Sequence, residues 1–380
     1  MSESTIHGGS TLPGSVDRAS TPPSLDETLA LMRHIVEHPV SARYSPWFST
    51  YYADLTGREY LGRYVRFLDT WLAMLGRPVA GLEILDAGCG FGIMATLIAL
   101  RGGRVHGLDC HQGMIDTFRT YLDILPDELP ITPQVGDVAA MPYEDASFDL
   151  VLSHEAISHY GDVDGFFREA ARVLRPGGAL LLSDSNNALN PQVVRDTWQI
   201  WRAFELGPAG AQVHGHTIET PFIDQRRDLL IQAGLAEETA ALLAQETSGL
   251  WGKQLFEAAK RYQETGELPG RVYRDGQCPI DPVQGYYIER LFDPRELVAA
   301  LCAVGLRPSL RAYLGGARGG LLAVANALLT SPPLTPLALR LARAFRIVAY
   351  KPSSAPSQRS SGNTFSKEDN PVGPSGGGNK

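Results

Sequence analysis

The sequence predicts an α/β protein built on a parallel, doubly wound sheet, and three observations carry that reading. The apolar run Leu82–Leu85 ends in Asp86, glycines follow at 88, 90 and 92, and Ile93–Leu100 is apolar again. That is the pattern of a buried strand, a tight turn and a buried helix. Strand-like and helix-like segments then alternate as far as Ser183, as expected of a sheet wound by crossover helices. Finally, acids stand at the ends of the first three strands, at Asp86, Asp109 and Asp137.

Taken in order, residues 1–24 are rich in Ser, Thr, Gly and Pro and predict a disordered tail. Residues 25–80 predict an N-terminal helical segment. Leu29, Met32, Ile35 and Val36 space one helix, and Tyr60, Tyr64, Phe67, Leu68, Trp71 and Leu72 mark one face of a second, over Glu59–Leu75. Between them Tyr44, Trp47, Phe48, Tyr51 and Tyr52 form an aromatic stripe, which either packs the helices on the core or caps a bound ligand. The core, 81–189, carries strands at 82–86, 104–109, 131–135, 148–153 and 179–183. Helices are expected from about 92, over 112–124 and over 163–174, and the turn Arg175–Gly178 leads into the fifth strand.

Residues 190–285 break the alternation. Helical patterns occur near 191–205, 221–233, 236–246 and 250–264, with no strand. This predicts a helical insertion after strand five, a lid on the acceptor side of the sheet edge. The core resumes over 286–351, with a helix from Asp293 to Leu301 and strands at 307–314 and 345–350, which makes seven strands. The glycine-rich, apolar and arginine-bearing stretch 315–346 reads as helices packed between the last two strands, or as a peripheral membrane contact. Residues 352–380 predict a second disordered tail.

The chain has 380 residues and a net charge of −8 without a basic block, so nucleic acid is not an expected partner. Cys89, Cys110, Cys278 and Cys302 form no C-x-x-C pair, so reduced thiols and a cytoplasmic setting are expected. Neither a signal peptide nor a membrane span is read. His214 and His216 are expected in a surface loop, and Arg226–Arg227 on a solvated helix face.

The glycine turn is specific. A dinucleotide fingerprint requires a third glycine at position 93, where Ile93 stands. Any single strand-end Asp reads as a turn or helix cap; three in order beside this turn predict a ligand pocket. Leu85–Gly92, Gly107–Asp109, Gly136–Asp137, Ser147–Val151 and Leu174–Gly178 together resemble the class I S-adenosylmethionine (SAM)-dependent methyltransferases, over about Gly81 to Asp184. The small-molecule branch fits better than the DNA branch, because no Asn/Asp-Pro-Pro-Tyr/Phe follows strand four.

The resemblance implies a Rossmann-like seven-stranded doubly wound sheet with N-terminal helices, and SAM as cofactor. It places Asp86, Gly88, Cys89, Gly90 and Gly92 near the methionine part, Asp109 on the ribose, and Asp137 with Val138 near adenine. Cys110 and Ser153 are expected in the same cofactor wall. The end of strand four then faces the methyl group. His159 is the first candidate base for a hydroxyl acceptor and His154 the second; the alternative is a structural histidine at the sheet edge. Glu155, Tyr160, Asn186, Tyr286 and Tyr287 are expected to contact the acceptor. Glu155 and His159 have metal-ligand spacing, but Ser158 stands where a further carboxylate is needed, so no metal is expected. The expected function is methyl transfer to a small organic acceptor, most simply a hydroxyl of a biosynthetic, glycan or lipid-type substrate. The alternatives are a non-catalytic SAM-binding protein and a membrane-surface module. The oligomeric state stays open.

Overall fold

The computed structural model describes residues 22–126, 128–315, 324, 328 and 331–353. Almost all of both expected tails, and most of 315–330, lie outside the described residues. Ser24 opens α1 (Leu25–Glu37) through a capping box with Glu27, which satisfies two otherwise orphaned N–H groups. Pro46 sits in the first turn of a short α2 (Pro46–Tyr52), and α3 (Arg58–Leu72) follows. The predicted second helix therefore ends in a separate 3₁₀ turn, Ala73–Leu75.

The core runs β1 (Glu83–Ala87), α4 (Ile93–Ala99), β2 (Arg104–Asp109), α5 (Gln112–Leu122), β3 (Ile131–Val135), β4 (Phe148–His154), α6 (Val163–Val173) and β5 (Leu174–Asp184). The insertion contains α7 (Pro191–Leu206), β6 (Ala211–Val213), β7 (His216–Ile218), α8 (Phe222–Gln232), α9 (Glu237–Glu246) and α10 (Gly252–Thr265). Then come α11 (Pro294–Ala303), β8 (Arg307–Tyr313) and β9 (Ala344–Tyr350). Seven strands form one sheet in the order β3-β2-β1-β4-β5-β9-β8. β1 to β5 are parallel, and β9 runs antiparallel to both its neighbours. The strand order reverses between β1 and β4, where such sheets open a crevice at their carboxyl edge.

Apolar side chains on the two faces form separate cores. Leu150, Leu152, Leu181 and Val348 pack with α1, α3, α4 and α5, while Val151, Leu180, Leu182 and Ile347 pack with α6 and α11. Strand β5 begins at Leu174 rather than Ala179, because Leu174 already pairs with Phe148 and the register shifts before Leu150. The Arg175–Gly178 turn is thus an irregularity inside the strand.

The insertion departs from the all-helical expectation. β6 and β7 pair through His214–Gly215, both at positive φ (47° and 88°), a two-residue hairpin turn. Arg226 is not solvated: it is buried, its side chain paired with Glu205 at 2.5 Å and donating to the Ala244 carbonyl at 3.0 Å. Asn187 and Asn190 are also structural. Their amides donate to the carbonyls of Leu339, Leu341 and Ala342, tying the start of the insertion to the strap before β9. No helix among the described residues is long and apolar enough to cross a membrane.

Gly92 shows why the turn after β1 needs glycine. Its φ is +73°, and an added Cβ would lie 2.1 Å from the Phe118 ring. Gly92→Ala is expected to cost about 2–4 kcal/mol through overpacking and left-handed strain. A fall in unfolding free energy of under about 0.5 kcal/mol, within ordinary surface scatter, would contradict that account.

Candidate functional site

The site is built where β1, β2, β4 and β5 end. Asp86 is 2% exposed, and its Oδ2 has no hydrogen-bond partner. Burial first, and then nearby Asp109, push its carboxyl up to about 7, against a smaller pull from the Ala95 N–H. The glycine turn follows. Gly88 (φ +70°) is held against Ala156 and Tyr160, which a Cβ would approach to 2.6 and 2.7 Å. Gly90 (φ +52°) differs: a Cβ there would meet only Met114 Sδ, at 3.8 Å, so this backbone faces open ground.

Asp109 closes β2 and braces the turn. One carboxylate oxygen accepts the Gly90 N–H at 2.9 Å and the other the His111 N–H at 2.8 Å. Burial raises its carboxyl, and those two bonds oppose the rise. His111 caps α5, and the Trp47 ring lies 5.7 Å from it. The aromatic stripe therefore divides. Phe48 is buried between Tyr44 and Phe91 at 4.9 and 5.3 Å, whereas Trp47 is 40% exposed beside His111. Asp137 is exposed and accepts the Ala139 N–H at 2.8 Å, next to buried Val138. Cys110 is exposed, with a thiol raised chiefly by desolvation.

Three expected contacts turn away from the open ground. The Cys89 side chain points inward; a Cβ on Gly107 would lie 3.0 Å from its sulfur, so only its backbone belongs to the turn. The Ser153 hydroxyl is buried and bonds the Tyr160 hydroxyl at 3.0 Å. Tyr160 in turn donates to the Ala87 carbonyl at 2.7 Å and packs on Phe166, so it is a strut under the glycine turn rather than an acceptor contact.

The two candidate bases separate. His154 lies against Phe67, Trp71 and Tyr64, at ring distances of 4.5, 5.4 and 6.4 Å. Burial, then Arg346, push its imidazole down to about 3, which removes it as a base. His159 stands on the 3₁₀ turn Ile157–His159, half-buried, and acts on both Asp109 and Asp184. Its Nδ1 lies 2.9 Å from the Tyr287 carbonyl. A carbonyl only accepts, so Nδ1 carries the proton and the lone pair sits on Nε2. Nε2 is 3.9 Å from Glu289 Oε1.

Glu289 was not anticipated. It adopts φ +53°, and its other oxygen accepts from the Asn186 amide at 2.6 Å. Asn186, 5% exposed, thereby positions Glu289. Glu155, at φ +49°, accepts the Ser185 N–H at 3.0 Å, and desolvation followed by Asp184 raises its carboxyl. Tyr286 stands edge-on to His159 at 6.3 Å, and Tyr287 is stacked on Arg290, 4.3 Å from its ring centre. Tyr64 of α3 lies in the field of Asp86 and Glu155; helical periodicity marked it only as core-facing. Among the described residues no group of three or more His, Cys, Asp or Glu is arranged to hold a metal.

The Methyltransferase domain family matches residues 85–182. The 27-O-demethylrifamycin SV methyltransferase of Amycolatopsis mediterranei is 31% identical over 218 residues, 55% of this chain and 76% of that protein. A ubiquinone biosynthesis O-methyltransferase of Methylocella silvestris is 37% identical over 113 residues, 30% of this chain and 43% of that protein. The chain thus spans less than half the length of several curated relatives that it matches. A SAM-dependent methyltransferase structure from Mesorhizobium loti aligns over 74% of this chain and 96% of its own, with 18% identity and a TM-score of 0.39. The chain belongs to the class I SAM-dependent methyltransferases.

Proposed function

We propose that this protein transfers a methyl group from SAM to a hydroxyl oxygen of a small organic acceptor, with His159 as base. The residues beside the glycine turn fit SAM. Asp86 offers a buried, unpartnered carboxylate oxygen for a cationic group, and Gly90 leaves room for close backbone approach. Asp109 is an acid braced in place for the ribose diol, and exposed Asp137 stands on the adenine side. When bound, SAM supplies a methyl group already activated by its positive sulfur.

The observation that carries the acid–base assignment is the Nδ1 bond of His159 to Tyr287. It leaves Nε2 as the acceptor nitrogen, so the hydroxyl proton passes to Nε2 as oxygen takes the methyl group. Glu289 then faces the imidazolium that forms and offsets its charge. The segment directly after the insertion supplies Tyr286, Tyr287 and Glu289, so it both encloses the acceptor and orients the base. The four unpaired cysteines support a reducing, cytoplasmic setting. Incubation with methyl-labelled SAM and a panel of hydroxylated acceptors tests the reading. Label in an ether linkage is expected; SAM binding without label in any product favours a binding protein.

Asp86 gives the cofactor step a pH signature. Its folded carboxyl, at about 7, lies above its ordinary 3.8. A cation beside it favours the ionised form, so SAM binding releases a proton at neutral pH, and affinity rises with pH through about 7 before levelling. The free fold has the opposite sign. Folded Asp86 holds its proton more tightly than the unfolded chain, so stability falls as pH rises from 3.8 to about 7 and is flat above. Calorimetry in buffers of different ionisation heat reads the proton release; an Asp86→Asn protein that keeps the wild-type pH slope would exclude Asp86 as its source.

A further inference from the structure

His154, Ser183, Arg346 and Arg311 stand side by side on β4, β5, β9 and β8. In the sheet register His154 pairs with Ser183, Ser183 with Arg346, and Arg346 with Arg311. Directly paired residues leave the same face of a sheet, so these four form one row on the face that α3 covers. The Phe67 and Trp71 rings lie 4.5 and 5.4 Å from His154. The Arg346 guanidinium is sandwiched between Phe67 and Tyr313, 4.4 and 3.8 Å from their ring centres.

The row is short of acceptors. Trp71 Nε1, His154 Nδ1, Ser183 Oγ and Arg346 Nε are all buried without a hydrogen-bond partner. The other Arg346 nitrogens donate to two neutral groups, Thr70 Oγ1 at 3.1 Å and the Phe67 carbonyl at 3.3 Å. Arg346 is 5% exposed, and burial lowers its guanidinium, a shift that Tyr313 opposes. Among the described residues no carboxylate pairs with Arg346 or with its neighbour Arg311. Residues 316–343, which connect β8 to β9, contain no Asp or Glu. A buried guanidinium without a counter-charge, set directly beside a second arginine, is expensive on both counts. Unpaired buried donors of this number in one place call for an acceptor.

We propose that this row is a binding site for a small oxyanion, a carboxylate or a phosphate, held by Arg346 with Ser183 and Trp71. The anion is either the acidic substituent of the methyl acceptor or a free ion. The row adjoins the proposed transfer site: Glu155 follows His154 directly, and the Tyr64 ring, in the field of Asp86 and Glu155, is 6.4 Å from that of His154. An acceptor acid in this row would fix which hydroxyl reaches His159, and only that source rests on the methyl-transfer reading.

The test titrates the full-length protein with inorganic phosphate and with benzoate, at constant ionic strength in oxyanion-free buffer, by calorimetry and thermal melting. SAM is titrated into the same preparations. At least one anion is expected to bind saturably and raise the melting temperature. Arg346→Met should weaken it by about tenfold or more, as for loss of a charged hydrogen bond, and leave SAM affinity unchanged. Phosphate binding alone identifies a free-ion site; benzoate binding alone identifies the acceptor's carboxylate. Binding of neither, or equal binding by Arg346→Met, overturns the proposal. Where Arg346→Met does not fold, Ser183→Ala carries the test, with several-fold weaker binding expected and unchanged binding overturning it. Loss of SAM binding throughout would overturn the transferase reading and leave the anion result standing.

Discussion

His159→Gln is expected to lower kcat by about 100-fold to 10,000-fold, the usual contribution of a positioned general base, while leaving SAM affinity unchanged. The split between the two measurements is the informative part. The His159 imidazole is held by Nδ1 on the Tyr287 carbonyl, and its Nε2 faces Glu289 at 3.9 Å. Glutamine retains a donor for the carbonyl but presents no comparable base. A purely structural histidine would show the reverse, with a lowered melting temperature and SAM affinity and a kcat near wild type. Glu289→Gln should fall between, because it removes the counter-charge and keeps the Asn186 contact; its expected cost is about tenfold in kcat.

Asp109→Ala is expected to weaken SAM by about 100-fold or more, roughly 3 kcal/mol, the scale of two hydrogen bonds to a charged acceptor. Two effects add. The ribose diol loses its acceptor, and the Gly90 and His111 N–H groups lose the carboxylate that braces the turn. The fold should persist, since Asp109 lies at the strand end and the β1–β2 ladder does not depend on its side chain. Unchanged affinity in a folded Asp109→Ala protein would overturn the ribose assignment.

The core was legible because local pattern and topology agree there. A strand, three glycines and a helix within 19 residues, repeated strand–helix alternation and three strand-end acids leave little room for another architecture. The failures have physical reasons. Tyr160 was expected at the acceptor, but its hydroxyl reaches the Ala87 carbonyl 73 residues away, and only the folded sheet shows that contact. His154 was a missed signal: it lies two residues beyond Leu152 and so shares that residue's face, under α3. Arg226 looked like surface charge until Glu205, 21 residues earlier, closed on it. Glu289 carries no periodic signal. It reaches His159 from just beyond the insertion through a left-handed backbone conformation that a non-glycine residue rarely adopts. Sites assembled from three or more segments are illegible for this reason, whereas a turn that follows its own strand is not.

The central claim is that the pocket of Asp86, the glycine turn and Asp109 holds SAM. Calorimetric titration of the full-length protein with SAM tests it most directly. Saturable binding is expected at one site per chain, stronger at pH 8 than at pH 6 because burial pushes the Asp86 carboxyl up to about 7, and at least about 100-fold weaker in Asp109→Ala. An absence of measurable binding across that pH range would contradict it.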